Sequence, residues 1–195
     1  MGYSLEHKAR TRERVVEAAA RLFRRYGYNG VGIDDIMAAA GLTRGGFYAH
    51  FRSKQELFAA TLGEELELAR RLRRGEGDAD QPSASARALI EFYFGATSGA
   101  LVTSLCPLVS LSVDVARGDA QASAAYTATL RDLVGEIARR IPAPPEDARQ
   151  RALAAVALCV GAAVLGHAVN DERLAVELSS TCRERALNEL ERVAP

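Results

Sequence analysis

Between positions 43 and 54 lie seven residues whose chemistry suits a polyanion: Thr43, Arg44, Gly45, Gly46, Tyr48, His50 and Lys54. An arginine guanidinium can donate two parallel hydrogen bonds to the O6 and N7 of guanine. A tyrosine hydroxyl and an imidazole can donate to phosphate oxygens. Lys54 follows Ser53 at the start of a helical pattern. There an ammonium joins unbonded helix N–H groups, a pairing that suits phosphate. Glycine costs a helix about 1 kcal/mol relative to alanine. Gly45 and Gly46 therefore fit a backbone brought close to something large, or simply a loose helix start. Each side chain alone also has a plainer reading: packing for Tyr48, a hydrogen-bonded core residue for His50, a solvated helix start for Lys54. Jointly they point to DNA.

The elements that must position them are legible on either side. Residues 6–26 place Val15, Ala19, Leu22, Phe23 and Tyr26 at helical spacing, with arginines opposite. Gly27 stands in the post-helix position. A short helix over 33–40 has Asp34 and Asp35 in its first turn, where the helix dipole favours negative charge. Gly41 ends it, and Thr43 caps a second short helix over 44–50. Two short helices about a tight turn make a helix-turn-helix. Ile33, Ile36, Met37, Leu42 and Phe47 are placed to pack it on 6–26. Recognition helices contact base edges with their N-terminal residues, which puts Arg44 in the reading position. Ser53 and Glu56 form a capping-box pattern that opens a long helix over 54–73.

Composition bounds the rest. The chain has 195 residues, 48% hydrophobic and 26% charged, enough for one or two compact domains. Alanine occurs 36 times and tryptophan never, which favours an all-α fold. Three cysteines exclude a disulfide scaffold. The charged N-terminus has no apolar signal core, so a cytoplasmic location is expected. The net charge of zero hides a split: residues 1–74 hold 14 Lys+Arg against 9 Asp+Glu, and residues 75–195 hold 11 against 16. The excess lies in 1–54, with 10 against 5. A basic end on an acidic body suits a polyanion-binding module joined to a partner with another task.

Residues 75–85 read as a linker. Helices follow over 85–101, after Pro107, over 120–141, over 146–169 after the PAPP break, and over 171–193. The body carries no nucleotide fingerprint, no metal-spaced cluster and no nucleophile–base pair, so no cofactor, metal or catalytic residue is assigned. Its candidates for binding a small effector are Phe92, Tyr93, Cys106, Tyr126 and His167. Core packing is the alternative for the aromatics, an interface position for His167, and a buried inert thiol for Cys106. Residues 152–169 carry no formal charge at neutral His, yet they are rich in alanine and glycine. They read as a packing or subunit-interface helix rather than a membrane span.

The stretch GLTRGGFYAHFRSKQELF resembles the N-terminal signature of tetracycline-repressor (TetR)-type transcriptional regulators, with similarity over about 9–62. The resemblance implies a nine-helix, all-α fold. A helix-turn-helix domain (1–52) precedes a helical effector-binding and dimerisation domain (53–195). It implies a homodimer set in successive major grooves of a near-palindromic operator. Thr43, Arg44, Gly45 and Gly46 then face bases or backbone, while Tyr48, His50 and Lys54 hold phosphates. It further implies dimerisation through the last two helices, with Gly161, Ala162, Leu165 and Ala168 meeting Leu174, Leu178 and Leu187. The segment around Cys106 resembles a subgroup in which some members respond to electrophiles or oxidants. The implied function is repression released by a small apolar or electrophilic effector, acting through the rod 54–73. One departure is Gly32, where such proteins carry a capping Thr or Ser; Ala49 offers only a methyl. The alternative from another class is a helical small-molecule-binding protein or enzyme whose basic end does not read DNA.

Overall fold

A computed structural model of the chain describes residues 5–63, 86–88, 90–91, 93–94 and 106–191. Among them are eight α-helices, one 3-10 helix and no strand. The fold is all-α. The chain divides into two compact units, the first from Met1–Glu64 with Ser110–Ala128, the second from Glu65–Val109 with Thr129–Pro195.

In the first unit, α1 (Leu5–Tyr26) runs until Gly27, whose φ of 72° is a left-handed conformation that L side chains rarely adopt. The Gly27 amide closes the helix on the Phe23 carbonyl at 2.8 Å. Helix α2 (Ile33–Ala39) starts at Gly32. Glycine has no hydroxyl to cap with, but Asp35 reaches back and accepts the Gly32 amide at 2.8 Å. This is the reciprocal half of a capping box. Arg14 of α1 donates to the Ala40 carbonyl at 2.6 Å, and Gly41 (φ 67°) turns the chain. The next element is a 3-10 helix, Arg44–Ala49, rather than the α-helix the spacing suggests. Six residues with two glycines hold only a tight i→i+3 turn.

Helix α3 (Lys54–Leu62) opens as expected, with the Ser53 hydroxyl accepting the Glu56 amide at 3.1 Å. The Glu56 carboxylate accepts the Arg52 amide at 2.8 Å, one residue earlier than the usual partner. The helix ends at Leu62 with Gly63 as its C-cap, short of the expected rod to 73; residues 64–73 lie outside the described residues. The core of the unit joins Val15, Phe23, Ile36, Met37, Phe47, Phe51, Leu57 and Phe58. The Phe23 and Phe58 rings meet edge to face at 5.3 Å, a favoured aromatic geometry. Tyr26, expected on the apolar face, is exposed under the Arg25 guanidinium instead.

Residues from the second half of the chain complete this core. Between 107 and 118 the sequence suggests one helix, and the structure forms two: α4 (Pro107–Ser110) and α5 (Ser112–Ala116). Leu111, Val115 and Ala122 join the first unit's core, the last from α6 (Ala120–Ala138). The compact units therefore do not follow a single cut at 52/53.

In the second unit, residues 86–88, 90–91 and 93–94 are helical. The linker 75–85 and Phe92 lie outside the described residues. Helix α7 (Pro145–Ala168) starts with proline in its first turn, followed by Glu146 and Asp147 facing the dipole. Three residues later it packs along α8 (Glu172–Glu191). Ion pairs tie α8 to the 86–94 segment: Arg183 Nε donates to Glu91 at 2.8 Å, and Arg87 pairs with Glu191. Arg151 is the largest fully buried side chain, 2% exposed. Its Nε donates to the Glu189 carbonyl at 2.6 Å, satisfying a last-turn carbonyl of α8, and its Nη1 lies 3.5 Å from Asp147. Truncating a buried, bonded cation strands its partners. Arg151→Ala is expected to lower stability by about 3 kcal/mol, read as a shift of the urea midpoint in far-UV dichroism with the slope unchanged.

Candidate nucleic-acid interface

The 3-10 helix presents one face to solvent because the other is pinned. Phe47 and Phe51 are buried, their rings 5.9 Å apart. Between them Tyr48 is 62% exposed, its ring edge-on to Phe47 at 5.2 Å. Thr43, Arg44, Gly45 and Ala49 are exposed as well. Thr43 occupies the N-cap without a side-chain capping bond, so its hydroxyl is not committed there. A Cβ added at Gly45 would meet open space, whereas one at Gly46 would lie 3.6 Å from Met37 Cε. The two glycines therefore differ: Gly45 leaves backbone bare to an incoming surface, and Gly46 is turned toward the core.

His50 ends this segment, half-buried, with its Nδ1 enclosed and without a hydrogen-bond partner among the described residues. Burial, and then the nearby Lys8 and Arg12 cations, lower its pKa below the ordinary value of 6.5. At neutral pH the ring is neutral, able to donate one hydrogen bond but carrying no charge. Lys8 and Arg12 are the residues that motif reading missed. They lie four apart on α1, hence on one face, and both are exposed. Arg12 also sits over the Phe51 ring at 4.8 Å. The basic excess of residues 1–54 was their only sequence signal.

Lys54 has a second task. Its Nζ donates to the Tyr28 carbonyl at 2.5 Å and lies 4.2 Å from the centre of the Tyr28 ring. Burial lowers its pKa, while the Asp114 and Asp35 carboxylates oppose that shift. Asp114 accepts the Tyr28 amide from the other side at 3.1 Å. The loop after α1 is thus held at both polar atoms of one peptide unit residue, by α3 and by α5. An ammonium has three donors, so the bond to Tyr28 leaves capacity for a phosphate.

Of the residues expected around an effector, Phe92 lies outside the described residues. Tyr126 packs against the first unit's core. In the second unit Tyr93 is buried, edge-on to Phe94, and Cys106 is half-buried. His167 is exposed on the last turn of α7. Cys159 is buried, its thiol pushed up to about 12 by burial and by the neighbouring Cys106 and Cys182, which makes it a poor nucleophile. Of the residues expected at a subunit interface, Ala162 and Leu187 are buried by the chain itself. Both belong to the α7–α8 core. Leu165, Ala168 and Leu174 are exposed, and Gly161 and Leu178 are half-buried.

The match with known proteins follows the same outline. Residues 15–61 match the model for bacterial regulatory proteins of the tetR family. The HTH-type transcriptional repressor Rv1474c of Mycobacterium tuberculosis is 36% identical over 64 residues, which cover 33% of this chain and 34% of that protein. The chain thus aligns with about a third of that relative's length. A TetR transcriptional regulator from Chloroflexus aurantiacus, known by crystal structure, superposes with a TM-score of 0.71 at 26% identity, over 92% of this chain and 96% of that one. The reduced form of Escherichia coli NemR superposes at 0.72 and 20% identity, over 94% and 96%. On its helix-turn-helix and these matches, the segment 15–61 belongs to the tetR family of bacterial regulatory proteins, and the chain's helical architecture is similar to that of a TetR transcriptional regulator.

Proposed function

We propose that the chain is a sequence-specific DNA-binding regulator, a repressor released from a near-palindromic operator by a small effector. One observation carries the reading: the exposed face Thr43–Arg44–Gly45–Tyr48 stands on a helix-turn-helix whose other face is buried, with Lys8, Arg12 and His50 beside it. Arg44 reads a base edge, Gly45 admits close approach, and Tyr48, His50, Lys8, Arg12 and Lys54 meet phosphates.

The active species is a homodimer joined through α7 and α8. Val164 and Leu165 on α7 and Leu174 and Val176 on α8 are large apolar side chains left exposed, Leu165 at 52% and Val176 at 62%. A Cβ at Gly161 would meet open space, so a second helix can come close there. Helix α7 is also long and apolar enough to cross a membrane. Its alanine-rich stripe fits a partner helix better, in keeping with a cytoplasmic protein without membrane contact. The effector is a small apolar molecule, or an electrophile at Cys106, whose binding changes the spacing of the two recognition segments so that one dimer no longer fits two grooves.

Three outcomes test this. Binding to an operator duplex should weaken linearly in log–log form as salt rises. Lys8→Ala with Arg12→Ala should flatten that slope by about 4 per dimer and weaken all sequences alike, whereas Arg44→Ala should relax preference at one position of each half-site. Fluorescence anisotropy that showed no salt dependence on duplex DNA would favour the enzyme reading. Next, phosphate contact favours protonated His50, so affinity should rise as pH falls through the lowered His50 pKa, and His50→Gln should remove that rise. The same group acts oppositely on folding. Its depressed pKa contributes stability that is fully present above 6.5 and lost as pH falls through the folded-state value. Finally, Leu165→Glu should convert the dimer to monomer in sedimentation equilibrium without unfolding it.

A further inference from the structure

Asp34 stands in the first turn of α2, where the helix dipole favours it, yet its side chain is directed elsewhere. It lies on the surface beside the recognition segment, where its charge opposes approach to phosphates. Its neighbour Asp35 already caps α2 through the Gly32 amide. Asp34 instead reaches ten residues on and accepts a hydrogen bond from Arg44 Nη1 at 2.7 Å. Both side chains are largely exposed, at 65% for Arg44 and 62% for Asp34. Such a pair contributes little to stability. Its effect is geometric. A free arginine side chain samples many rotamers, and a guanidinium fixed at one nitrogen samples few.

We propose that Asp34 is a positioning residue for base recognition: its carboxylate holds Nη1 of Arg44 and thereby presents the Nε/Nη2 edge for bidentate contact with guanine. That edge makes no hydrogen bond among the described residues. Its two parallel donors match guanine O6 and N7. The pair also neutralises Asp34 on the face that meets DNA. When Arg44 turns to a different base, the carboxylate is left uncompensated near phosphates. Asp34 therefore penalises wrong sequences as well as aligning the right one. The inference rests on the DNA-binding reading above and adds to it the base read and the residue that enforces it.

The test is selection from a random-sequence duplex library with the wild-type chain, Asp34→Ala, Asp34→Asn and Arg44→Ala, followed by anisotropy on the winning duplex, on its guanine-substituted versions and on random duplex. The wild type should select a guanine in each half-site. Asp34→Ala should reduce discrimination at that guanine about fivefold, while its affinity for random duplex rises about twofold because a negative charge has left the surface. Asp34→Asn should fall between, since its carbonyl still accepts from Nη1. A folding defect would lower both affinities together, so opposite movements identify positioning. Full guanine discrimination in Asp34→Ala, with its loss in Arg44→Ala, overturns the role of Asp34 and leaves the DNA reading standing. If the wild type selects no motif, or Arg44→Ala keeps every preference, the DNA reading fails and this inference fails with it.

Discussion

A six-residue 3-10 helix containing two glycines does not hold itself together, and the candidate interface depends on what holds it. Its hydrogen bonds span three residues in poor geometry, and its glycines lose the most backbone entropy on ordering. Phe47 and Phe51 supply the anchor, one inside the segment and one just past it, both buried in the core built on α1. Burying a phenylalanine is worth about 2 to 3 kcal/mol. Two of them offset a segment with little intrinsic stability. The spacing of the two rings decides which side chains remain outside, so the exposure of Arg44 and Tyr48 follows from apolar packing.

The loop between α1 and α2 imposes a second constraint. Gly27 adopts a positive φ, and the Tyr28 that follows gives its amide to Asp114 and its carbonyl to Lys54. Asp114 lies 86 residues further along the chain. The unit that carries the helix-turn-helix is thus completed by residues from the second half of the sequence, with Leu111, Val115 and Ala122 adding apolar contacts to the same core. A segment ending near 64 would lack that carboxylate and those side chains. Helix α5 and the start of α6 are thus part of the unit that carries the helix-turn-helix, though they are distant from it in sequence.

Charge on this surface is mixed, and the mixture has physical content. On the proposed DNA-binding reading, Lys8 and Arg12 favour any duplex, which gives affinity without sequence information. On the same reading Asp34 would cost affinity on any duplex, and its ion pair with Arg44 offsets that charge. Combining a general attraction with a local, conditional repulsion yields discrimination that attraction alone does not. The same separation of roles appears in the carboxylates of the helix starts: Asp35 and Glu56 are spent on backbone amides, while Asp34 is directed to a side chain.

The sequence by itself determined the helical class, the helix-turn-helix and its buried face. These rest on local patterns: apolar spacing near 3.6 residues, glycines after helices and a Ser-x-x-Glu start, each written within a few positions. It also placed Arg44, Tyr48 and His50 on one short segment. Tertiary structure alone decided which neighbours those residues meet. The alliance of Arg44 with Asp34, of His50 with Lys8 and Arg12, and of Tyr28 with Lys54 and Asp114 joins separate elements, and no local periodicity encodes such pairings. The apolar pattern of 54–73 suggests an unbroken rod, but α3 stops at Leu62 with Gly63 at its C-cap, a residue that weakens a helix interior. Of the residues expected around an effector, Tyr126 packs against the first unit's core and Tyr93 is buried in the second unit. Aromatic or thiol character marks a residue as able to bind, and only the packing of helices distant in sequence decides whether such residues face each other.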